Sequence, residues 1–151
     1  MLIKMEYILR RGKLADVNQI YSLGAKTQEL RFSQVTKFFH LKDEIEEWIK
    51  KPNDNILLVA AKDKKVVGFI YAKIIGKHWC MIDNLVVAPE HRGEHIGTVL
   101  LEELLKILRQ KKIDYVQTLE QIKNKKGRKF WKKKGFHEGY VFVWANKKLR
   151  V

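Results

Sequence analysis

The nine residues Pro89-Glu90-His91-Arg92-Gly93-Glu94-His95-Ile96-Gly97 put an arginine, two glycines and two histidines between an apolar run and a leucine-rich segment. Where such a turn opens a helix it can hold phosphate. The first helical N–H groups have no partners within the helix, and the aligned peptide dipoles add partial positive charge. Gly93 and Gly97 let main chain approach a ligand that a Cβ would obstruct, and Arg92 offers a charged fork for phosphate oxygens. The same residues also make an ordinary strand-to-helix turn, and both readings stand. The turn is not a Walker loop, because Gly-Lys-Ser/Thr is missing, and G-x-G-x-x-G is missing too. His91 and His95 have the spacing of a helical metal pair. No acidic or third histidine ligand accompanies them, so surface histidines are expected and no metal.

The elements that must position this turn follow from hydrophobic period. Tyr7–Arg10 reads as a short strand, followed by a helix with Leu14, Val17, Ile20 and Tyr21 on one face. Residues 27–39 read as helical. Leu41, Ile45, Trp48 and Ile49 mark another helix, with acids 43–47 favouring its N-terminal half and Pro52 ending it. Ile56–Ala61 and Val66–Ile75 read as a β-hairpin across Lys62-Asp63-Lys64-Lys65, and Trp79–Val87 as the next strand. Ile96, Val99, Leu100, Leu104, Ile107 and Leu108 give a broad apolar helix face. Tyr115–Leu119 is expected as a strand, Asn124–Lys134 as a helix and Tyr140–Ala145 as a closing strand. No linker or repeat divides the chain, so residues 1–151 are expected to form one α/β (α+β) domain.

With 46% apolar residues the chain is globular rather than disordered. Its net charge of +14 suits polyanionic ligands such as phosphorylated cofactors, nucleic acid or a ribosomal surface, or else a solvated lysine surface. Cys80 is the single cysteine, which excludes an intrachain disulfide and a cysteine zinc cluster; inside an apolar run it reads as a buried, inert thiol. No apolar run is long enough to span a bilayer or to serve as a signal peptide, so a cytoplasmic protein is expected.

Three segments together resemble the GNAT superfamily of N-acetyltransferases. The family's cofactor loop, V-x-P-x-x-R-G-x-G-x-G/A, is similar to Val87–Gly97, with His95 where a glycine is usual. The family segment N-x-x-A-x-x-F-Y-x-x-x-G-F resembles Asn124–Phe136, with Trp131 at the tyrosine. Val66-Val67-Gly68-Phe69 resembles its third strand. The resemblance covers nearly the whole chain in order. It implies a mixed, mostly antiparallel sheet of six to seven strands flanked by about four helices.

The resemblance further implies acetyl-CoA (coenzyme A) as cofactor. Arg92, Gly93, Glu94, His95, Ile96 and Gly97 would wrap the pyrophosphate. Leu85, Val86 and Val87 would bond the pantetheine arm where a bulge parts neighbouring strands. The His95 side chain either distorts the loop or itself touches phosphate. Asn124 caps its helix and by family likeness contacts the cofactor arm. Trp131, a poor proton donor in place of the family's acid, packs against pantetheine or against its own helix. Lys132 or Lys133 could reach the 3′-phosphate.

The expected activity is direct acetyl transfer to a primary amine in a ternary complex. An amine with pKa ~10.4 must lose a proton first. Asp83 leads as the base, against a plain ion pair at a strand end, and Glu120 is second. The alternative is a catalytically weak GNAT-like protein that binds coenzyme A, RNA or a ribosome. The acceptor would be a small-molecule, peptide or protein amine, with Leu23–Trp48 as one wall of its pocket. The short 137–139 link leaves that pocket open or completed by a second subunit of a homodimer.

Overall fold

Continuous apolar runs become central strands when both of their faces are covered. A computed structural model describes residues 7–31 and 39–150. The elements run β1 (Ile8–Arg11), α1 (Val17–Lys26), α2 (Lys42–Lys50), β2 (Asn55–Lys62), β3 (Lys65–Ile74), β4 (Trp79–Val87), α3 (Ile96–Gln110), β5 (Tyr115–Thr118) and α4 (Lys125–Lys133). The sheet order is β1-β2-β3-β4-β5, antiparallel except for the β4–β5 pair, which is parallel. This is an α+β arrangement of the kind that the resemblance implies.

The two sheet faces bury separate clusters. Ile56, Leu58, Ile70, Ala72, Cys80 and Ile82 meet Ile96, Leu100, Leu104 and Trp131 on the α3/α4 side. Leu57, Val59, Phe69, Tyr71 and Val86 meet Ile20, Ile45 and Trp48 on the α1/α2 side. The alternation Ile56/Leu57/Leu58/Val59 divides β2 between the two clusters, as a period of two requires. Gly68 lets α3 lie close: a Cβ there would come within 3.0 Å of the Val86 carbonyl and 3.1 Å of Ile96. Arg10 pairs with buried Asp16 at 2.6 Å and 2.9 Å, fastening β1 to the start of α1.

Several expectations need correction. Among the described residues the sheet has five strands, not six or seven, and Tyr140–Ala145 forms no strand. That segment is β-rich in composition but makes no ladder, and strand propensity acts only through a partner strand. The helix expected over 27–39 is a 3₁₀ turn at Gln28–Leu30, and residues 32–38 lie outside the described residues. The β3–β4 bulge falls earlier than expected: Tyr71 faces Asn84 and Ala72 faces Ile82, so Asp83 is the extra residue.

Candidate active site

The geometry of β4 sets the site. From Cys80 to Ile82 it pairs with both β3 and β5; beyond Ile82 it pairs with β3 alone. The Thr118 hydroxyl donates to the Ile82 carbonyl at 3.0 Å where the β5 ladder ends. The main-chain edge of Leu85, Val86 and Val87 that faces away from β3 therefore lines a gap between two diverging strands.

The gap leads into the glycine-containing turn. Ala88 N–H bonds the Val67 carbonyl at 2.8 Å and a 3₁₀ turn spans Pro89–His91. Gly93 then takes φ +86° with open space where a Cβ would stand. His95, at φ 62°, is the N-cap of α3. The position where glycine is usual is thus left-handed here too, and histidine bears that strain. The first bond of α3 runs from Val99 N–H to the His95 carbonyl at 3.1 Å, so the N–H groups of Ile96, Gly97 and Thr98 precede it. At Gly97 a Cβ would make only ordinary contacts of 3.6–3.8 Å with Val87 and Phe130, so the fold itself does not require glycine there. Arg92 Nε donates to the Val87 carbonyl at 3.3 Å, and Glu94 faces His91 at 3.3 Å.

This cradle fits the phosphate-and-amide arm of coenzyme A. It presents N–H groups that precede the first bond of a helix, one arginine and an amide edge. Among the described residues no three His, Cys, Asp or Glu side chains gather to hold a metal ion.

On the α1/α2 face, the bulge displays Asp83 beside an aromatic cluster. Trp48 stacks on Tyr71 with ring centroids 3.7 Å apart, and His40 meets Trp48 edge-on at 4.7 Å. Tyr71 donates its hydroxyl to Asn55 at 2.8 Å. Phe39, packed where Gly24 of α1 has no side chain, holds the segment that carries His40. Asp83 keeps exposed surface, yet the surrounding protein thins its hydration and pushes its carboxyl above the usual range; His40 and Lys73 pull the other way. Burial lowers the His40 pKa against the pull of Glu44, 3.6 Å away, and of Asp83. Burial, with Asp83 adding to it, raises the Cys80 thiol to about 11, and Cys80 is fully buried, an inert thiol. One residue beyond Asp83, the buried Asn84 Oδ1 has no hydrogen-bond partner among the described residues.

The remaining predicted residues gather elsewhere. Glu120 accepts from Asn124 Nδ2 at 2.9 Å, Gln121 N–H at 3.0 Å and the Trp131 indole at 3.4 Å. Asn124 caps α4 by accepting from Gly127 N–H at 3.0 Å. Trp131 is buried between Phe130 and Phe136. Glu120, Asn124 and Trp131 thus form one network that fixes α4. Sequence reasoning missed His40; the available signal was a histidine beside two phenylalanines inside the stretch expected to wall the acceptor.

The model of the acetyltransferase (GNAT) family matches residues 20–136. The chain belongs to this family. It is therefore an N-acetyltransferase by membership, with acetyl-CoA as the family's cofactor. A Bacillus subtilis (strain 168) protein provisionally assigned as a ribosomal protein bS18-alanine N-acetyltransferase is 21% identical over 139 residues, covering 92% of this chain and 86% of its own. The PaiA N-acetyltransferase of Thermoplasma acidophilum, solved with coenzyme A, superposes with a TM-score of 0.73 at 24% identity, over 92% of this chain and 95% of that one. A ribosomal-protein-alanine N-acetyltransferase from Brucella melitensis gives 0.76 at 20%, over 88% and 86%.

Proposed function

We propose that this N-acetyltransferase moves an acetyl group directly from acetyl-CoA to the amine of a peptide or protein N-terminus, within a single domain. The observation that carries the proposal is the parting of β4 from β5 after Ile82, with the glycine-containing turn at one end and Asp83 at the other. The donor supplies an acetyl thioester. The N–H groups of Gly93, Glu94, His95, Ile96 and Gly97, with Arg92, hold its pyrophosphate. The main chain of Leu85, Val86 and Val87 holds its arm, alongside a wall kept in place by Asn124 and Trp131.

Asp83 takes the proton that the acceptor ammonium must lose, directly or through water. A carboxyl raised above its ordinary value is a stronger base once ionised. His40 borders Asp83 and holds the amine's aromatic surroundings. Asn84 Oδ1, buried and lacking a partner among the described residues, suits an acceptor N–H. We assign Glu120, second in line as base, to positioning, because three donors already occupy its oxygens.

A protein terminus suits the acceptor side, because Asp83 keeps exposed surface at the open edge of β4. The Bacillus and Brucella proteins, named for alanine of a ribosomal protein, point the same way. The test is thiol release with acetyl-CoA and short peptides bearing different N-terminal residues, set against polyamines. Turnover with peptides, and loss of the coenzyme A-induced rise in melting midpoint in Arg92→Ala, are expected. A folded protein whose midpoint ignores millimolar coenzyme A would overturn the proposal, and so would turnover confined to small amines.

A further inference from the structure

The charge of this molecule is concentrated at one end. Residues 121–151 hold eleven lysines and arginines against one acid, Glu138, so +10 of the net +14 lies in the last fifth of the chain. Glu138 is itself occupied, with its carboxylate bonded to Arg128 at 2.7 Å and 2.9 Å.

On α4 the lysines are not scattered. Lys125, Lys126, Lys129, Lys132 and Lys133 are all exposed. At 3.6 residues per turn these five positions fall within an arc of roughly 120° along about 12 Å of helix. The opposite side carries Trp131, buried and packed on Phe136. The helix is thus anchored by its apolar face and offers solvent a purely cationic one. The cofactor's 3′-phosphate would occupy Lys132 or Lys133, which leaves Lys125, Lys126 and Lys129 unassigned.

Beyond α4, Tyr140, Phe142 and Trp144 are 91%, 81% and 55% exposed. Spaced two apart in a segment without helix or strand, they reach the same side of the chain whenever it is extended. Lys147, Lys148 and Arg150 follow, all exposed. Exposed aromatic faces between clusters of cations are what a single strand of nucleic acid needs. Its phosphates meet the lysines and its unpaired bases stack on the rings. An anionic membrane fits less well, because the apolar face of α4 is turned into the core and cannot insert.

We propose that the α4 lysine stripe and the 140–150 tail together form a binding surface for single-stranded nucleic acid. The α4 stripe lies apart from the Asp83–His40 cluster on the α1/α2 face, and the Arg128–Glu138 pair ties the start of the tail to α4.

The test is fluorescence anisotropy of the full chain with a labelled 20-nucleotide oligouridylate. Binding is expected with a log–log salt slope of about −3.5, for roughly five phosphate contacts, which amounts to about a hundredfold weakening from 50 to 200 mM salt. K125E/K126E/K129E should abolish binding while leaving acetyl transfer to a short peptide unchanged. Tyr140→Ala with Phe142→Ala should weaken binding about tenfold or more without altering the salt slope. No binding at 50 mM salt would overturn the proposal. So would an affinity indifferent to the two ring substitutions, complete displacement by coenzyme A, or equal binding to phosphatidylglycerol vesicles.

Discussion

The two halves of β4 share a strand but not a situation. Cys80–Ile82 has neighbours on both sides, and its side chains Cys80 and Ile82 are fully buried. Asp83–Val87 has a neighbour on one side only and begins with a residue that no partner opposes. The first half stabilises the fold; the second exposes backbone groups and a carboxylate whose environment disfavours its charge. A strand that was fully paired along its length would be more stable and would leave no open edge for the cofactor arm that we propose it holds.

The comparison breaks most visibly with one substitution in each half. Asp83→Asn should lower turnover by about a hundredfold or more while leaving the coenzyme A-induced midpoint shift intact. The deficit should shrink at high pH, where more of the acceptor amine is already neutral. In the unsubstituted enzyme, turnover should fall as pH drops through a carboxyl value above the ordinary range, since Asp83 must be ionised to accept a proton. Ile82→Ala should do the reverse, costing about 2–5 kcal/mol of stability and sparing turnover of the protein that remains folded. Equal effects of both substitutions on turnover would erase the distinction.

A smaller effect is expected at the end of the open half. Gly97→Ala meets only ordinary contacts in the fold, so the melting midpoint without ligand should stay put while coenzyme A affinity drops. Loss of stability in that variant would move Gly97 from binding to packing. His95→Gly should relieve left-handed strain and, after the added flexibility of the unfolded chain, gain on the order of 0.5–1 kcal/mol. A destabilised variant would mean that the imidazole has a partner of its own.

The smallest effect concerns stability and pH. Because the folded carboxyl of Asp83 sits above its unfolded value, the folded state holds more protons than the unfolded one between the two values. Its ionisation therefore lowers stability as pH rises through that window. Asp83→Asn should be slightly more stable than the parent at neutral pH, with the gain vanishing below the ordinary carboxylate range. Thermal melts from pH 3 to 8 measure this directly.

Much of this architecture is legible in the chain. The boundaries of β4, the turn from Pro89 to Gly97 and the capping role of Asn124 follow from local signals that need no distant partner. The reach of Glu120 to Asn124 and Trp131 is only partly local, since it depends on how the β5–α4 loop folds back. His40 was not legible, because its proximity to Tyr71 and Trp48 is created by packing across the sheet. The segment 140–145 misled for the same physical reason in reverse: its residues favour strands, but no neighbouring strand pairs with them.

Gln121 spans the largest sequence distance of any side chain in the site's surroundings. From the β5–α4 loop its amide donates to the carbonyls of Glu29, at 3.2 Å, and Arg31 on the connection between α1 and α2. Among the described residues, Gln121 thus clasps the β5–α4 loop to the α1–α2 connection at an exposed position. Such bonds contribute on the order of 0.5–1.5 kcal/mol each. Exposed bonds of that size can open without any part of the sheet being disturbed. Under the proposed function, such an opening would admit a long acceptor between the two walls.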